Sequence, residues 1–495
     1  MPVEPVRYFS TNTGIFGSPD LEERISGGDL PTVGLAQAII QGQADDGGLL
    51  MPNRFPQIGP KNFGRMGEMS YSQIFSRIMN DFFQGILQET TLRRISNEAY
   101  TFQPYIEKIS DTEFLARLDE GPTAAFKDYA AQVLFRIIES LMKEVPETEI
   151  EFRSRLKDIP LMSFIVTTSG DTGGAMGSAC HGRDKMWMAI LHSADIPGHV
   201  SELQAKQMEF NGNVYTIRVD TDFDGCASLA SRLISDPELR HINPNSANSV
   251  NIGRLLPQTV YYFHALSRVL DQNEPVAVSV PSGNFGNAVA GLFAMRMGLP
   301  ITKMIIGVNE NDIFERFYRT GKYEPAESAH TSPSNSMNVN KPSNMRRLFQ
   351  LYGGQLIDGK VEVMPDMQRL RDEISVYRIS DEETDQIIRQ FYDEFHTINL
   401  LHSTLEPHGA VAWGAARKFR EETGYDGKII TLETAHPGKF PERIEKMGIK
   451  GVTLPECLAK LVDKPHGRHY RVKNDYSAVK ELILELYAKE LRRAA

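Results

Sequence analysis

The sequence has very little cysteine. Cys180, Cys226 and Cys457 are scattered through 495 residues and form no C-x-x-C pair. No disulfide framework or structural zinc site can be read from them, and each thiol is expected to be buried and inert. No apolar run approaches the roughly 20 residues needed to span a bilayer. There is no repeat of fixed period and no low-complexity segment. An excess of positive charge is also missing: 54 Lys+Arg face 64 Asp+Glu, a net charge of −10. A general nucleic-acid binder carries a basic face, so that class is disfavoured, while a local cationic pocket for an anionic metabolite is not. The first residues, Met1-Pro2-Val3-Glu4-Pro5, lack the features of a secretory signal and the Arg/Ser bias of a transit peptide. The expectation is a soluble, reduced, cytoplasmic protein with no membrane and no nucleic-acid partner.

What is present has the pattern of a large folded enzyme or binding protein. At roughly 100–200 residues per domain the length predicts two to four domains. Asp45-Asp46-Gly47-Gly48 reads as a tight turn into a short apolar stretch. Ile74, Ile78, Phe82, Phe83 and Ile86 recur at helical spacing between Ser72 and Leu87. The charged stretch Glu147 to Arg153 reads as a solvated loop or helix end. After it, strands at 161–168, 186–191 and 214–219 alternate with helices near 175–180, 200–208 and 227–234. That alternation predicts a parallel, doubly wound sheet. A second unit follows, with a helix around 256–270, strands at 276–280, 301–308 and 427–432, a Ser/Asn/Pro-rich loop at 333–344 and helices at 382–395 and 477–491. Doubly wound sheets bind ligands beyond the carboxyl ends of their strands.

Two strand–glycine loop–helix junctions carry the chemistry. One is Thr167-Thr168-Ser169-Gly170-Asp171-Thr172-Gly173-Gly174; the other is Ser282-Gly283-Asn284-Phe285-Gly286-Asn287. Glycines let backbone N–H groups turn toward a ligand, and the helix N-terminus behind them favours an anion. Each loop alone is also compatible with an ordinary tight turn capped by Ser or Asp. Neither fits the dinucleotide or nucleoside-triphosphate loop patterns. A third feature is Gly121-Pro122-Thr123-Ala124-Ala125-Phe126-Lys127-Asp128-Tyr129. A lone lysine is usually solvated, but one beside an apolar wall has a lowered amine pKa and serves as nucleophile and base.

The motifs G-P-T-x-A-F-K-D, T-S-G-D-T-G, N-S-x-N-S-x-N-x-x-R, P-S-G-N-F-G-N and T-A-H-P-G-K-F occur in that order. Together they resemble the threonine synthase family, enzymes of pyridoxal phosphate (PLP) fold type II, in its longer bacterial and fungal branch. The resemblance runs from about Tyr8 to Pro441. It implies two doubly wound α/β lobes, similar to the tryptophan synthase β fold, with an added N-terminal domain. The corresponding division is 1–100 for the N-terminal domain, 101–158 with 250–495 for a large PLP-binding domain, and 159–249 for a small α/β domain. It also implies residue roles. Lys127 would form the internal aldimine with PLP. Gly283, Asn284, Phe285, Gly286 and Asn287 would cradle the cofactor phosphate, and Thr434 would face the pyridine nitrogen. A hydroxyl partner leaves that nitrogen less firmly protonated than an aspartate would. Thr168, Ser169, Gly170, Asp171 and Thr172 would hold the substrate carboxylate, with Asp171 contacting the cofactor. Asn248, Ser249, Asn251 and Arg254 would hold the substrate phosphate, Arg254 as a fork donor. Outside the resemblance, residues 245–254 read as a polar loop capping a helix. His436 is a candidate second base or a support for the loop carrying Thr434.

Three places depart from the family pattern, one of them an extra stretch between the lysine helix and Leu161. Asp119-Glu120 stands where an apolar or aromatic residue and a histidine are usual, and His199 takes a position usually held by another basic residue. Three functional readings follow. The first is conversion of O-phospho-L-homoserine and water to L-threonine and phosphate. The second is a PLP-dependent lyase or deaminase of the same fold acting on another amino acid. The third is a non-catalytic binder of a phosphorylated metabolite. The partner in the first reading is a phosphorylated amino acid, and the assembly is a monomer or homodimer.

Overall fold

The structure, a computed structural model, describes residues 5–144, 159–194, 200–270, 274–397 and 400–494. The charged stretch at 147–153 and His199 lie outside them. Residues near the N-terminus form a small antiparallel sheet, β1 (Tyr8–Ser10), β2 (Thr32–Val33) and β3 (Leu50–Pro52), in the order β2-β1-β3. Helices Leu35–Gln41, Tyr71–Phe82 and Glu89–Ala99 accompany it. The second begins with a capping box, in which the Ser70 hydroxyl and the Gln73 side chain each take the other's backbone N–H. Its apolar positions Ile74, Phe75, Ile78 and Phe82 are buried, as the helical spacing predicts.

Two sheets form the body of the molecule. The larger takes β4 (Tyr105–Lys108), β5 (Glu113–Arg117), β10 (Val276–Pro281), β11 (Ile301–Val308), β14 (Ile374–Arg378) and β15 (Lys428–Glu433), in the order β14-β11-β10-β15-β5-β4. Only the edge strand β4 is antiparallel. The smaller takes β6 (Met162–Thr168), β7 (Met186–Ser193), β8 (Val214–Asp220), β9 (Pro244–Ser246) and β16 (His469–Lys473), all parallel, in the order β16-β8-β7-β6-β9. β12 (Gln355–Ile357) and β13 (Lys360–Val363) make a separate hairpin. The central strands are buried on both faces, hence their unbroken apolar runs.

The chain therefore leaves the large sheet after β5, builds most of the small sheet, returns at β10, and closes back on the small sheet with β16. That last crossing corrects the expected grouping of all of 250–495 with the large lobe. The following helix, Tyr476–Ala494, also packs on the small lobe, with Val479, Ile483 and Leu486 against Trp187 and Leu229. Four carboxyl ends, those of β5, β6, β10 and β15, converge on one crevice between the lobes.

Asn245 and Asn251 tie the N-terminal region to the body. Their amide groups donate to the Ile40 and Ile39 carbonyls, the latter at 2.9 Å, at the last turn of helix Leu35–Gln41. They thereby satisfy acceptors that a helix end leaves open. Buried Arg347 donates to the Leu50 carbonyl at 3.0 Å and the Val250 carbonyl at 2.7 Å.

Candidate active site

The turn after β5 presents a lysine to the crevice. Asp128, one residue beyond Lys127, accepts the Thr123 N–H and hydroxyl, both at 2.8 Å, and so closes the turn. The turn is sewn to the segment after β15: Phe126 N–H donates to the Thr434 carbonyl at 2.9 Å, and His436 N–H to the Ala124 carbonyl at 3.1 Å. Lys127 emerges buried, its Nζ 4.9 Å from the centre of the Phe126 ring. Burial lowers its amine pKa from the ordinary lysine value, and the positive charge of Lys439 adds to that effect against the opposing pull of Asp171.

Asp171 is the junction of the site. Its Oδ2 lies 3.3 Å from Lys127 Nζ and accepts from the Ser336 hydroxyl at 3.3 Å. Its Oδ1 takes Gln204 Nε2 at 2.8 Å and lies 2.7 Å from Lys439 Nζ. Burial alone would raise its pKa, but Lys439 and Lys127 outweigh it and hold the carboxyl well below its usual range. The preceding Gly170 has φ +148°, and a Cβ there would come within 2.7 Å of Gln204. Only glycine fits.

The second loop ends β10. At Gly283 a Cβ would meet the Met337 Cα at 2.5 Å, so the close approach of these two segments requires glycine. Phe285 adopts φ 60° at the start of helix Gly286–Arg296. Its ring turns inward against Phe314, 5.0 Å away, so its contribution to the crevice is backbone. The first-turn N–H groups of that helix face the crevice without helical partners. Asn287 is fixed through Oδ1 by the hydroxyls of Tyr261 at 2.6 Å and Tyr262 at 2.8 Å. Among the described residues its amide nitrogen has no hydrogen-bond partner, nor has the Ser282 hydroxyl. Both residues line the crevice.

Arg254 lines it too and is fully buried. Nη1 donates to the Ala247 carbonyl at 2.7 Å, but Nε has no partner among the described residues. Burial brings its pKa down to about 10. Among the described residues no carboxylate forms an ion pair with this guanidinium, which leaves it suited to receive an anion. Asn248 holds the backbone of Thr167 through both ends of its amide, at 3.0 and 2.7 Å. Ser249 meets Asn284 at 3.3 Å and Asn344 at 3.0 Å.

Sequence-family models match three parts of the chain, two of which overlap. A "Pyridoxal-phosphate dependent enzyme" model matches 103–434, "Threonine synthase N terminus" matches 26–100, and "Threonine synthase, C-terminal" matches 409–483. The threonine synthase of Pseudomonas aeruginosa is 31% identical over 88% of this chain and 92% of its own. That of Saccharomyces cerevisiae is 31% identical over 92% and 96%. The chain belongs to the threonine synthase family. The crystal structure of the Escherichia coli threonine synthase superposes with TM-score 0.80 at 28% identity, covering 97% of this chain and 99% of that one. A PLP-bound threonine synthase from Brucella melitensis gives 0.81 at 29%, covering 97% and 99%.

As a member of the threonine synthase family the protein is a PLP-dependent enzyme. Its crevice fits that cofactor. An amine of lowered pKa, a helix N-terminus with open N–H groups and a buried hydroxyl at a strand end, Thr434, all line one space. Thr168, Ser169, Thr172, Asn248, Ser249 and Arg254 join them there, with Gly283 to Asn287. Asp171 touches Lys127 from the side, and Gly170 shapes the loop without lining the crevice. Asn251 is not brought to it: its amide is committed to Ile39, Ser246 and Gly253.

The family departure at Asp119-Glu120 turns away from the crevice. Asp119 is buried at ion-pair distance, 3.1 Å, from His402 Nε2, without hydrogen-bond alignment, and Glu120 is exposed. Asp119, His402 and His436 bring ligand-type atoms within 4.8 Å of one another. His436 Nδ1 accepts the Gly438 N–H at 2.9 Å, and burial brings this ring's pKa down to about 3. The neutral ring therefore carries its proton on Nε2, which leaves that atom no lone pair for a cation. His436 holds the turn after Thr434, the supporting role weighed above against that of a second base.

Sequence reasoning missed Ser336, Gln204, Glu406, His408 and Lys439. Lys439 stands inside the quoted T-A-H-P-G-K-F motif. Ser336 lies in the Ser/Asn/Pro-rich loop, whose density of short polar residues was its signal. Gln204 and Glu406 carry only helix-cap signatures.

Proposed function

We propose that the protein converts O-phospho-L-homoserine and water to L-threonine and phosphate. The observation that carries this reading is a pair of sites suited to anions that line the same crevice as Lys127. One is the helix N-terminus at residues 285–287. The other is Arg254, whose Nε has no partner among the described residues. One suits the cofactor phosphate and the other a phosphate on the substrate.

Bound PLP supplies an electron sink that acidifies the α- and β-positions of an amino acid joined to it. The residues of the chain do the rest. Thr168, Ser169 and Thr172 hold the substrate carboxylate and fix its orientation. Arg254, with Asn248 and Ser249, holds the phosphate at the γ-end, which sets the distance from Lys127 to the α-carbon. Lys127, kept less basic by burial, takes the α-proton at Nζ and returns it. Asp171 accepts the Lys127 ammonium while Lys439 balances its charge, so the proton is held without being trapped. Leaving phosphate remains close enough to assist later proton transfers.

The test is turnover of O-phosphohomoserine by the PLP-loaded enzyme, with phosphate and threonine both measured. Equal release of the two supports the reading; phosphate without threonine refutes it in favour of a lyase of the same fold. Lys127→Ala should abolish turnover and the covalent trapping of cofactor by borohydride. Trapping on another lysine would overturn the assignment of Lys127.

A further inference from the structure

Behind Thr434 lies a buried hub that the proposed reaction leaves unused. Glu406 caps helix Pro407–Thr423. Its Oε1 accepts the Gly409 N–H at 2.9 Å and lies 3.1 Å from the Thr434 hydroxyl. Its Oε2 accepts the His408 N–H at 2.7 Å and lies 2.5 Å from His408 Nδ1. The other His408 nitrogen, Nε2, accepts the Ser336 N–H at 3.0 Å, so the ring proton sits on Nδ1 and is given to Glu406. Three of the four contacts are thus fixed donors. The neighbouring Glu433 accepts the Glu406 N–H at 2.8 Å. Burial, then the charge of Glu406, raises the Glu433 pKa well above its usual range. Of the two adjacent buried carboxyls, Glu406 is the one whose two oxygens face three fixed N–H donors, an arrangement that suits a carboxylate.

Thr434 has one proton to give. A carboxylate is a far stronger acceptor than a neutral ring nitrogen, so the proton goes to Glu406. Turned the other way, the hydroxyl would set its lone pairs against those of Oε1. With its proton spent, the Thr434 oxygen offers the crevice only lone pairs. We infer that Glu406, acting through Thr434, makes the ring-nitrogen partner an acceptor and keeps the bound cofactor's ring nitrogen protonated. This rests on the reading of Thr434 as the residue facing that nitrogen. It reverses the expectation that a hydroxyl partner leaves the nitrogen weakly protonated. A protonated ring withdraws more electron density, which suits chemistry reaching the γ-carbon. Glu406 is a positioning residue, since it does not touch the cofactor.

The experiment is 15N NMR of the enzyme loaded with ring-15N pyridoxal phosphate. The wild-type signal is expected in the pyridinium range. Glu406→Gln gives Thr434 an amide donor, frees its proton for the ring, and should move the signal to the unprotonated range. Thr434→Ser should keep the pyridinium signal and Thr434→Val should lose it. This pair decides the matter if the Gln variant fails to fold, as judged by circular dichroism. An unprotonated wild type overturns the relay, as does a pyridinium signal that survives Glu406→Gln while Thr434→Val moves it. A signal unmoved by Thr434→Val overturns the placement of Thr434, and the relay with it. A helix cap alone would leave the ring signal where it is.

Discussion

Lys127 and Arg254 are both cations removed from water, and their partners separate their tasks. Lys127 has a carboxylate at 3.3 Å and an aromatic wall. It keeps a charge partner while its amine is made less basic. Arg254 has a carbonyl and a thioether but, among the described residues, no carboxylate in contact. In the proposed reaction the substrate phosphate supplies its counter-charge. Arg254→Gln should therefore raise the KM for O-phosphohomoserine far more than it lowers the affinity for PLP. The lost charge-assisted hydrogen bonds are worth about 1.5–3 kcal/mol, or about ten- to a hundredfold. Steady-state kinetics with cofactor titration check the split; an unchanged KM would mean that another group holds the phosphate. The place of Lys127 on the crevice was legible because its motif is continuous in sequence. Asn251 was misjudged for the opposite reason. The N-S-x-N-S-x-N pattern cannot tell which asparagine faces the crevice and which caps a distant helix.

At the level of elements, the site is made by loops that end parallel strands, with each loop continued by a helix. The sequence showed the two glycine-rich junctions because strand, glycine and helix follow one another directly. It did not show β4, β5, β9, β14 or β16. β14 and β16 are short, and β16 alternates exposed and half-buried residues at a sheet edge. Their pairing decides them, not their composition. Helix Glu202–Met208 is the element with two duties. Ser201 and Gln204 form its capping box, while Gln204 also holds Asp171 and accepts from Asn335 at 2.7 Å. Ser201→Ala should cost about 1 kcal/mol of stability and leave turnover nearly unchanged. Gln204→Leu should lower both the melting temperature and kcat, because Asp171 then loses an aligning donor. Thermal melts paired with turnover separate the cases; equal kcat losses in the two variants would refute the second duty.

Across the whole molecule, acid sensitivity is built into buried imidazoles. Burial brings His192 down to about 4, and His264 and His436 to about 3. In the unfolded chain each titrates near about 6.5. Between those values the unfolded state binds more protons, so stability is full above about 6.5 and falls as pH drops. The melting temperature should decline steadily from pH 7 toward 4. His264 has no hydrogen-bond partner at either ring nitrogen among the described residues and lies against Tyr71 at 5.5 Å. His264→Phe should make that decline shallower without loss of stability at pH 7; an unaltered slope would exclude His264 as a contributor. Among the described residues no helix is long and apolar enough to cross a membrane. The sequence by itself determined the two-lobed α/β architecture, the glycine loops, the place of Lys127 in its motif and the family. These are written in contiguous motifs whose local physics does not depend on distant partners. Only the tertiary structure decided where Asp119 points, that β16 closes the small sheet, and that Glu406, Ser336 and Lys439 converge on the crevice. Such facts depend on segments far apart in the chain meeting in a buried space, where low dielectric makes each charge and orphaned donor count.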